Sequence, residues 1–130
     1  MKFKDSIRSG FSNYANFKGR AQKSEYWFWV LFCWIIFSVW LVLESTIFSA
    51  AVINSSSGTG QIFMPVNLIF FALAIPTISV FVRRLHDTDR KGWWWLFSFV
   101  PFGGLVLFIW LCTNGTPGAN RFGEEPSKHE

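Results

Sequence analysis

Charged residues and cysteines are both scarce in this sequence, and each scarcity narrows the possible classes of protein. Asp, Glu, Lys and Arg make up 15% of the 130 residues, whereas an ordinary soluble domain has roughly 25%. Long tracts carry no charge, which indicates a membrane protein rather than a soluble domain with a large core. The two cysteines, Cys33 and Cys112, lie in apolar tracts without a CxxC motif, so we expect two buried thiols and no disulfide.

Motifs of the common enzyme and metal-binding classes are also missing. The sequence has no GxSxG, HExxH or P-loop motif. His86 is the only histidine near the apolar segments, and metal sites usually need two or more well-spaced imidazole or thiolate ligands. We therefore expect no metal and no cofactor. Because the aromatic residues belong to the apolar segments, we also expect no nucleic-acid binding.

Three apolar segments account for most of the chain, at residues 26–53, 62–82 and 93–112. The first has 28 residues and is long enough to cross about 30 Å of hydrocarbon with an overhang. The second contains Pro76, which should kink a helix. The third is interrupted by the sequence PFGG at 101–104. It is therefore either one kinked span or a re-entrant hairpin that turns at Phe102–Gly103.

Basic residues are distributed unevenly around these segments. Six Lys or Arg precede the first segment, none lies in the loop 54–61, and four lie in the loop 83–92. The positive-inside rule predicts a cytoplasmic N-terminus, a cytoplasmic 83–92 loop and an external 54–61 loop. We expect no signal peptide, since the basic N-terminal region has no apolar core. The polar tail 113–130 is external if the third segment spans and cytoplasmic if it re-enters.

The predicted fold is all-α, a single helical membrane domain over residues 1–130. A short amphipathic helix is predicted within the cytoplasmic residues 1–25, because Phe3, Ile7, Phe11 and Tyr14 recur on one helical stripe. Two alternatives remain for this helix. It lies on the cytoplasmic membrane surface, with its basic residues near anionic headgroups, or it docks on the protein's own cytoplasmic loops.

Polar residues cluster where the apolar segments meet the cytoplasmic side. Glu25 precedes the first segment and the pair Arg83 and Arg84 follows the second, so these charges lie at one membrane depth. We predict a cross-helix ion pair between Glu25 and one of the arginines. Arg83 can also reach Asp87 one turn further along its own helix.

Tryptophans flank the same level of the first and third segments. Amphipathic indole rings at headgroup depth form the aromatic belt of many membrane proteins. The predicted belt comprises Trp27, Trp29, Trp93, Trp94 and Trp95.

Three local motifs carry a family resemblance: GRAQKSEYW at 19–27, RRLHDTDRKGWW at 83–94 and GTPGANRFG at 115–123. Together they resemble the YhaH-like family of small bacterial inner-membrane proteins, a domain of unknown function, over residues 17–126. Lys23 and Lys91 stand where family members often have arginine and serine, and both departures leave the positions polar or basic. The resemblance implies a bacterial cytoplasmic membrane and several spans, and it brings no catalytic residue, substrate or cofactor.

The polar residues of the three motifs form one cytoplasmic cluster if the tail packs against the second motif. This predicted structural or binding cluster comprises Arg20, Glu25, Arg83, Arg84, His86, Asp87, Asn120 and Arg121. The predicted function is that of a non-enzymatic membrane protein. Its basic, tryptophan-rich cytoplasmic face would bind anionic lipid headgroups, a membrane-protein partner or a second copy of the chain. Two alternatives remain: a subunit of a small channel or transporter, and a membrane enzyme acting on lipid headgroups, with His86 and Asp87 as base and orienter.

Overall fold

The structure, a computed structural model, describes residues 2–54 and 66–126, and within them it is helical with no β-strand. The all-α prediction is therefore confirmed. Four α-helices and one 3-10 helix follow in order: α1 Phe3–Ser12, α2 Lys23–Asn54, α3 Val66–Asp87, the 3-10 helix Gly92–Phe99 and α4 Gly103–Cys112. The predicted loop at 54–61 and the start of the second apolar segment fall almost entirely outside the described residues.

Among the residues that the structure describes, two helices are long and apolar enough to cross a membrane, over Lys23–Ile47 in α2 and Leu68–Asp87 in α3. Only 17% of the apolar stretch in α2 and 39% of that in α3 is buried. The core helix of a soluble protein would be mostly buried, so these exposed apolar side chains suit contact with lipid tails. Helix α3 continues to Asp87, so the predicted loop 83–92 begins too early: its first five residues form the last turn of a helix.

The third apolar segment is a hairpin, and the prediction of one kinked span is wrong. Its first arm is the 3-10 helix and its second arm is α4. Phe102 has a left-handed φ of 65°, and the Gly103 N–H donates to the Val100 carbonyl at 2.9 Å, which closes the turn. A Cβ on Gly103 would collide with the Phe97 carbonyl oxygen. Each arm is about 15 Å long, half the thickness of a bilayer core.

Helix α1 docks on helices α2 and α3 of the same chain. Its buried face consists of Ser6 and Gly10, and a Cβ on Gly10 would overlap the indole of Trp29. Phe11, from the predicted aromatic stripe, meets the ring of Trp29 edge-on at 5.3 Å and yet stays 47% exposed. The close contact therefore runs through small residues, with the aromatic residues at its margin.

Two sequence predictions about the core are wrong. Trp29 is fully buried and donates from Nε1 to the Thr77 hydroxyl at 3.1 Å, so it is a core residue and not part of an interfacial belt. The reason is that α1 covers the face of α2 that carries this indole. Of the two free cysteines, Cys33 is buried as expected, but Cys112 is exposed at the end of α4.

A proline in α3 explains how the chain after α1 is held. Pro76 has no N–H to give to the Ala72 carbonyl one turn earlier, and the Tyr14 hydroxyl donates to that carbonyl instead. The Ser79 hydroxyl lies 2.9 Å from the Asn13 carbonyl oxygen and 2.6 Å from that of Asn16. Helix α3 thereby fixes the path of the linker that leads back to the start of α2.

Candidate functional site

The linker between α1 and α2 runs along the last turns of α3. The Ala21 N–H donates to the Arg83 carbonyl at 3.0 Å, and His86 Nδ1 lies 3.0 Å from the Gly19 carbonyl oxygen. These two contacts hold the first sequence motif against the second. They place Arg20, which lies between them, against the end of α3.

A buried carboxylate, Asp87, holds two arginines at this point. Arg20 Nε and Nη2 lie 3.0 and 2.9 Å from Asp87 Oδ1, and Arg84 Nη1 pairs with Oδ2. All three side chains are at most 6% exposed. We call Arg20, Arg84 and Asp87 the Asp87 cluster. One negative charge shared by two guanidinium groups needs further acceptors, because a buried charge is costly unless it is fully hydrogen-bonded.

The tail supplies the acceptors for Arg20. Arg20 Nη1 donates to the Gly118 carbonyl at 2.6 Å, and Arg20 Nη2 donates to the Thr116 carbonyl at 2.5 Å. The Thr116 N–H in turn donates to the Asp87 carbonyl at 2.7 Å. Gly115 passes so close that a Cβ there would collide with the Asp87 carboxylate. The third sequence motif therefore wraps around the charges of the first two.

Helix α4 supplies the acceptors for Arg84. Arg84 Nε and Nη2 reach the Leu111 carbonyl at 3.3 and 3.2 Å, and Nη2 also donates to the Thr113 carbonyl. The carbonyl groups in the last turn of a helix have no partner within the helix and carry a partial negative charge. Arg84 therefore ties the returning arm of the hairpin to the end of α3.

The tail also packs against His86. Asn120 Nδ2 donates to the His86 carbonyl at 2.9 Å, and the Phe122 ring stacks on the imidazole with centroids 4.1 Å apart. The tail therefore packs against the second motif, which is the condition on which the single polar cluster depended. Arg121 Nε lies 3.1 Å from Asp89 Oδ1, but these two side chains are 54% and 46% exposed.

A second buried ion pair joins α2 to α3. Arg83 Nη1 lies 3.0 Å from Glu25 Oε1, with side chains 5% and 4% exposed, and the Ser9 hydroxyl donates to the same carboxylate oxygen at 2.6 Å. The predicted cross-helix pair is confirmed, and its arginine is Arg83. The alternative contact of Arg83 with Asp87, one turn along the same helix, is replaced by contacts of both Asp87 carboxylate oxygens with Arg20 and Arg84.

Arg83 differs from Arg20 and Arg84 in the two guanidinium nitrogens that are not bonded to a carboxylate. Its Nε and Nη2 are buried and have no hydrogen-bond partner among the described residues. Arg83 lines a cavity of about 330 Å³, which we call the Arg83 cavity. The polar side chains that line it besides the arginines are those of Ser9, Asn13, Asn16, Lys18, Gln22 and Glu25.

The proposed acid–base pair is engaged in other contacts. Both carboxylate oxygens of Asp87 face arginines, whereas the His86 ring faces Gly19 and Phe122. Their side chains are therefore held by separate partners. The Ser9 hydroxyl bonds to Glu25 and the Thr116 hydroxyl bonds to the Asp87 carbonyl, and no spacing pattern in the sequence indicated either contact.

The remaining tryptophans of the predicted belt lie nearer the surface. Trp93 and Trp94 in the 3-10 helix are 77% and 44% exposed, and Trp27 and Trp95 are half-buried. Their position in a membrane interface stays a prediction. Trp110, outside that predicted set, carries the Arg90 guanidinium 4.2 Å above its ring.

Comparison with known proteins gives a family match over most of the chain. The family described as "Protein of unknown function (DUF805)" matches residues 14–124. The "Inner membrane protein YhaI" of Escherichia coli K12 is 39% identical over 117 residues, which cover 88% of each chain. The "Inner membrane protein YhaH" of the same strain is 39% identical over 115 residues, which cover 88% of this chain and 89% of YhaH. No solved structure matches significantly.

Proposed function

Because the chain belongs to the family of proteins of unknown function (DUF805) and is a membrane protein of the inner membrane, we propose a two-span protein that binds anionic lipid headgroups. Binding occurs at its cytoplasmic end and without catalytic turnover. The observation that carries this proposal is the convergence of the polar motifs at one end of two long apolar helices. The other parts of those helices expose apolar side chains.

The topology follows from the hairpin and the charges. The tail is bonded to Asp87 at the end of α3, so the tail and that helix end share one side. Of the 12 Lys and Arg residues, all but Lys128 lie within 2–23, 83–91 or at position 121. The positive-inside rule then assigns this end, with the N-terminus and the tail, to the cytoplasm.

Two reporter fusions test this topology. A fluorescent protein fused after Glu130 should fluoresce, because that domain matures in the cytoplasm. Alkaline phosphatase inserted after Ser57 should be active, because it folds in the periplasm. Phosphatase activity from a fusion after Glu130, without fluorescence there, would instead support three full spans and overturn the two-span proposal.

Lipid binding is supported by exposed cations at the cytoplasmic end. Lys2, Lys4 and Arg8 are exposed on α1, and Lys23 is exposed at the start of α2. We call these four residues the basic platform. Each Lys or Arg near an anionic membrane surface contributes about 1 kcal/mol to binding. The platform therefore favours phosphatidylglycerol and cardiolipin over zwitterionic lipids.

Native mass spectrometry of the full chain released from mixed vesicles tests the lipid preference. The protein should retain phosphatidylglycerol in preference to phosphatidylethanolamine. Changing Lys2, Lys4 and Arg8 together to Gln should lower that preference, whereas changing Glu124 and Glu125 to Gln should not. Equal retention of both lipids by the unmodified protein would refute the proposed lipid binding.

A transport role is a second candidate, and the hairpin is the observation that favours it. Broken helices that turn back within the bilayer line ion paths in known transporters. Liposomes containing the protein should then release potassium or protons faster than empty liposomes, and equal rates would exclude the role. A membrane enzyme has less support, because both oxygens of Asp87 are occupied by arginines.

A further inference from the structure

The Arg83 side chain is buried although only one of its nitrogens has a partner. Nη1 is bonded to Glu25, while Nε and Nη2 have no hydrogen-bond partner among the described residues. Buried polar groups are hydrogen-bonded in the great majority of cases, and a charged donor left alone is especially costly. Arg20 and Arg84, in the same part of the molecule, have an acceptor for every guanidinium nitrogen. The exception at Arg83 points to a ligand.

The two free nitrogens form one edge of the guanidinium group. Nε–H and Nη2–H point the same way, which is the geometry that binds two oxygens of one phosphate or carboxylate group. Glu25 holds the opposite nitrogen, and the Ser9 hydroxyl holds Glu25. The orientation of the free edge is therefore set before any ligand binds, which lowers the entropy lost on binding.

The residues that line the Arg83 cavity favour an anion with several oxygens. The Arg83 cavity has a volume of about 330 Å³, enough for a phosphate group together with part of a headgroup. Lys18 and Arg83 bring two positive charges to it, against one negative charge from Glu25. Arg20 also lines the cavity, but its charge is paired with Asp87. Asn13 and Asn16 line it too, and their amide nitrogens already donate to Ser9 and Asn13.

We propose that the Arg83 cavity binds a phosphate group, presented either by an anionic lipid headgroup or by a free phosphate compound. The site rests on the proposed function in its lipid form, because it names the place where one headgroup is held specifically. It differs from the basic platform in depth and in stoichiometry. The platform attracts many lipids through exposed charges, whereas the cavity takes one phosphate on a buried guanidinium edge.

The test uses the full chain, stripped of lipid in a neutral detergent. Its thermal unfolding is followed during titration with inorganic phosphate, short-chain phosphatidylglycerol or short-chain phosphatidylcholine. Saturable stabilisation by phosphatidylglycerol and not by phosphatidylcholine supports the headgroup as the source. Saturable stabilisation by inorganic phosphate, with no further gain from the lipid, supports a free phosphate compound.

Three variants assign the binding to the cavity. Arg83→Lys keeps the charge but loses the two-donor edge, so the dissociation constant should rise about tenfold. Lys18 is exposed, so Lys18→Gln should fold normally and weaken binding roughly fivefold. Lys91→Gln removes an exposed charge outside the cavity and should leave the constant unchanged. If Arg83→Lys does not fold, Lys18→Gln against Lys91→Gln still decides the question.

Failure of this site and failure of the proposed function give different results. If neither phosphate nor phosphatidylglycerol binds saturably, or if Lys18→Gln and Arg83→Lys bind as the unmodified chain does, the cavity is not a phosphate site. Preferential retention of anionic lipid in native mass spectrometry would then still support the basic platform. If the unmodified protein shows no such preference, the lipid binding proposed for the basic platform is wrong, whatever the cavity binds.

Discussion

The two arginines that end α3 are neighbours in sequence and have opposite surroundings. Arg84 belongs to the Asp87 cluster, in which every guanidinium nitrogen has an acceptor from Asp87 or α4. Arg83 has one carboxylate partner and two buried nitrogens without a partner among the described residues. A fully bonded buried charge needs no further acceptor, whereas a partly bonded one lacks acceptors that a ligand can supply. The comparison separates a scaffold from a candidate binding site within one helical turn.

We expect the largest effect from a substitution in the Asp87 cluster. Asp87→Asn removes the only negative charge between two buried arginines, and loss of one partner from a buried pair costs about 3–5 kcal/mol. We expect the variant to be depleted from the membrane fraction and to unfold at a much lower temperature in detergent.

An exposed pair provides the control for Asp87. Asp89→Asn breaks the contact with Arg121, whose side chain is 54% exposed, so the cost should stay within about 1 kcal/mol. Similar unfolding temperatures for Asp87→Asn and Asp89→Asn would show that the Asp87 cluster does not hold the fold.

Charge exchange tests the ion pair between Glu25 and Arg83. Glu25→Arg leaves two cations facing each other, and we expect a loss of about 3 kcal/mol, the lower end of the range for a broken buried pair. Adding Arg83→Glu should restore part of the unfolding temperature. Adding Arg84→Glu instead should not restore it, because Arg84 is bonded to Asp87 and α4. Rescue by Arg84→Glu would contradict the assigned pairing.

Substitutions of Gly115 and Gly104 measure how tightly the Asp87 cluster is packed. In Gly115→Ala the new methyl group meets the Asp87 carboxylate, and such overpacking should cost about 2 kcal/mol. Gly104→Ala has open space around its Cβ and should change stability by no more than about 1 kcal/mol. Equal unfolding temperatures for the two variants would mean that Asp87 has room to move.

The smallest effect is expected at a neutral contact. Tyr14→Phe removes the hydroxyl that donates to the Ala72 carbonyl, at a cost of about 1 kcal/mol. The cost should shrink in a Pro76→Ala background, because alanine restores an N–H for that carbonyl. If the cost is the same in both backgrounds, the hydroxyl does not replace the missing bond of Pro76.

Several features of the site were predictable from one-dimensional patterns. Glu25 and the arginine pair flank apolar segments at one depth, which was enough to predict an ion pair between the first two apolar helices. The family resemblance marked the tail as part of a shared polar signature, which made its packing against the second motif one of two alternatives. Such predictions succeed because polarity along the chain determines the depth at which a residue lies in a membrane.

Other features could not be predicted, because they depend on direction around a helix and on which segments meet. Depth could not distinguish Arg83 from Arg84, since they differ only by about 100° around the helix axis. Trp29 is a tryptophan near the end of an apolar segment, as belt residues are, and only the packing of α1 showed that it is buried. The acceptors of Arg84 lie 27 and 29 residues away in sequence, beyond any local pattern.

The sequence by itself therefore determined the membrane class, the all-helical fold and the polar end of the molecule. These follow from the amount and order of apolar and charged residues, which set what can enter a bilayer. The tertiary structure alone decided that the third apolar segment turns back and that every guanidinium nitrogen of Arg84 has an acceptor. It also decided that Arg83 keeps two buried nitrogens without a partner among the described residues. These depend on contacts between distant segments, where the direction of each side chain is fixed by packing.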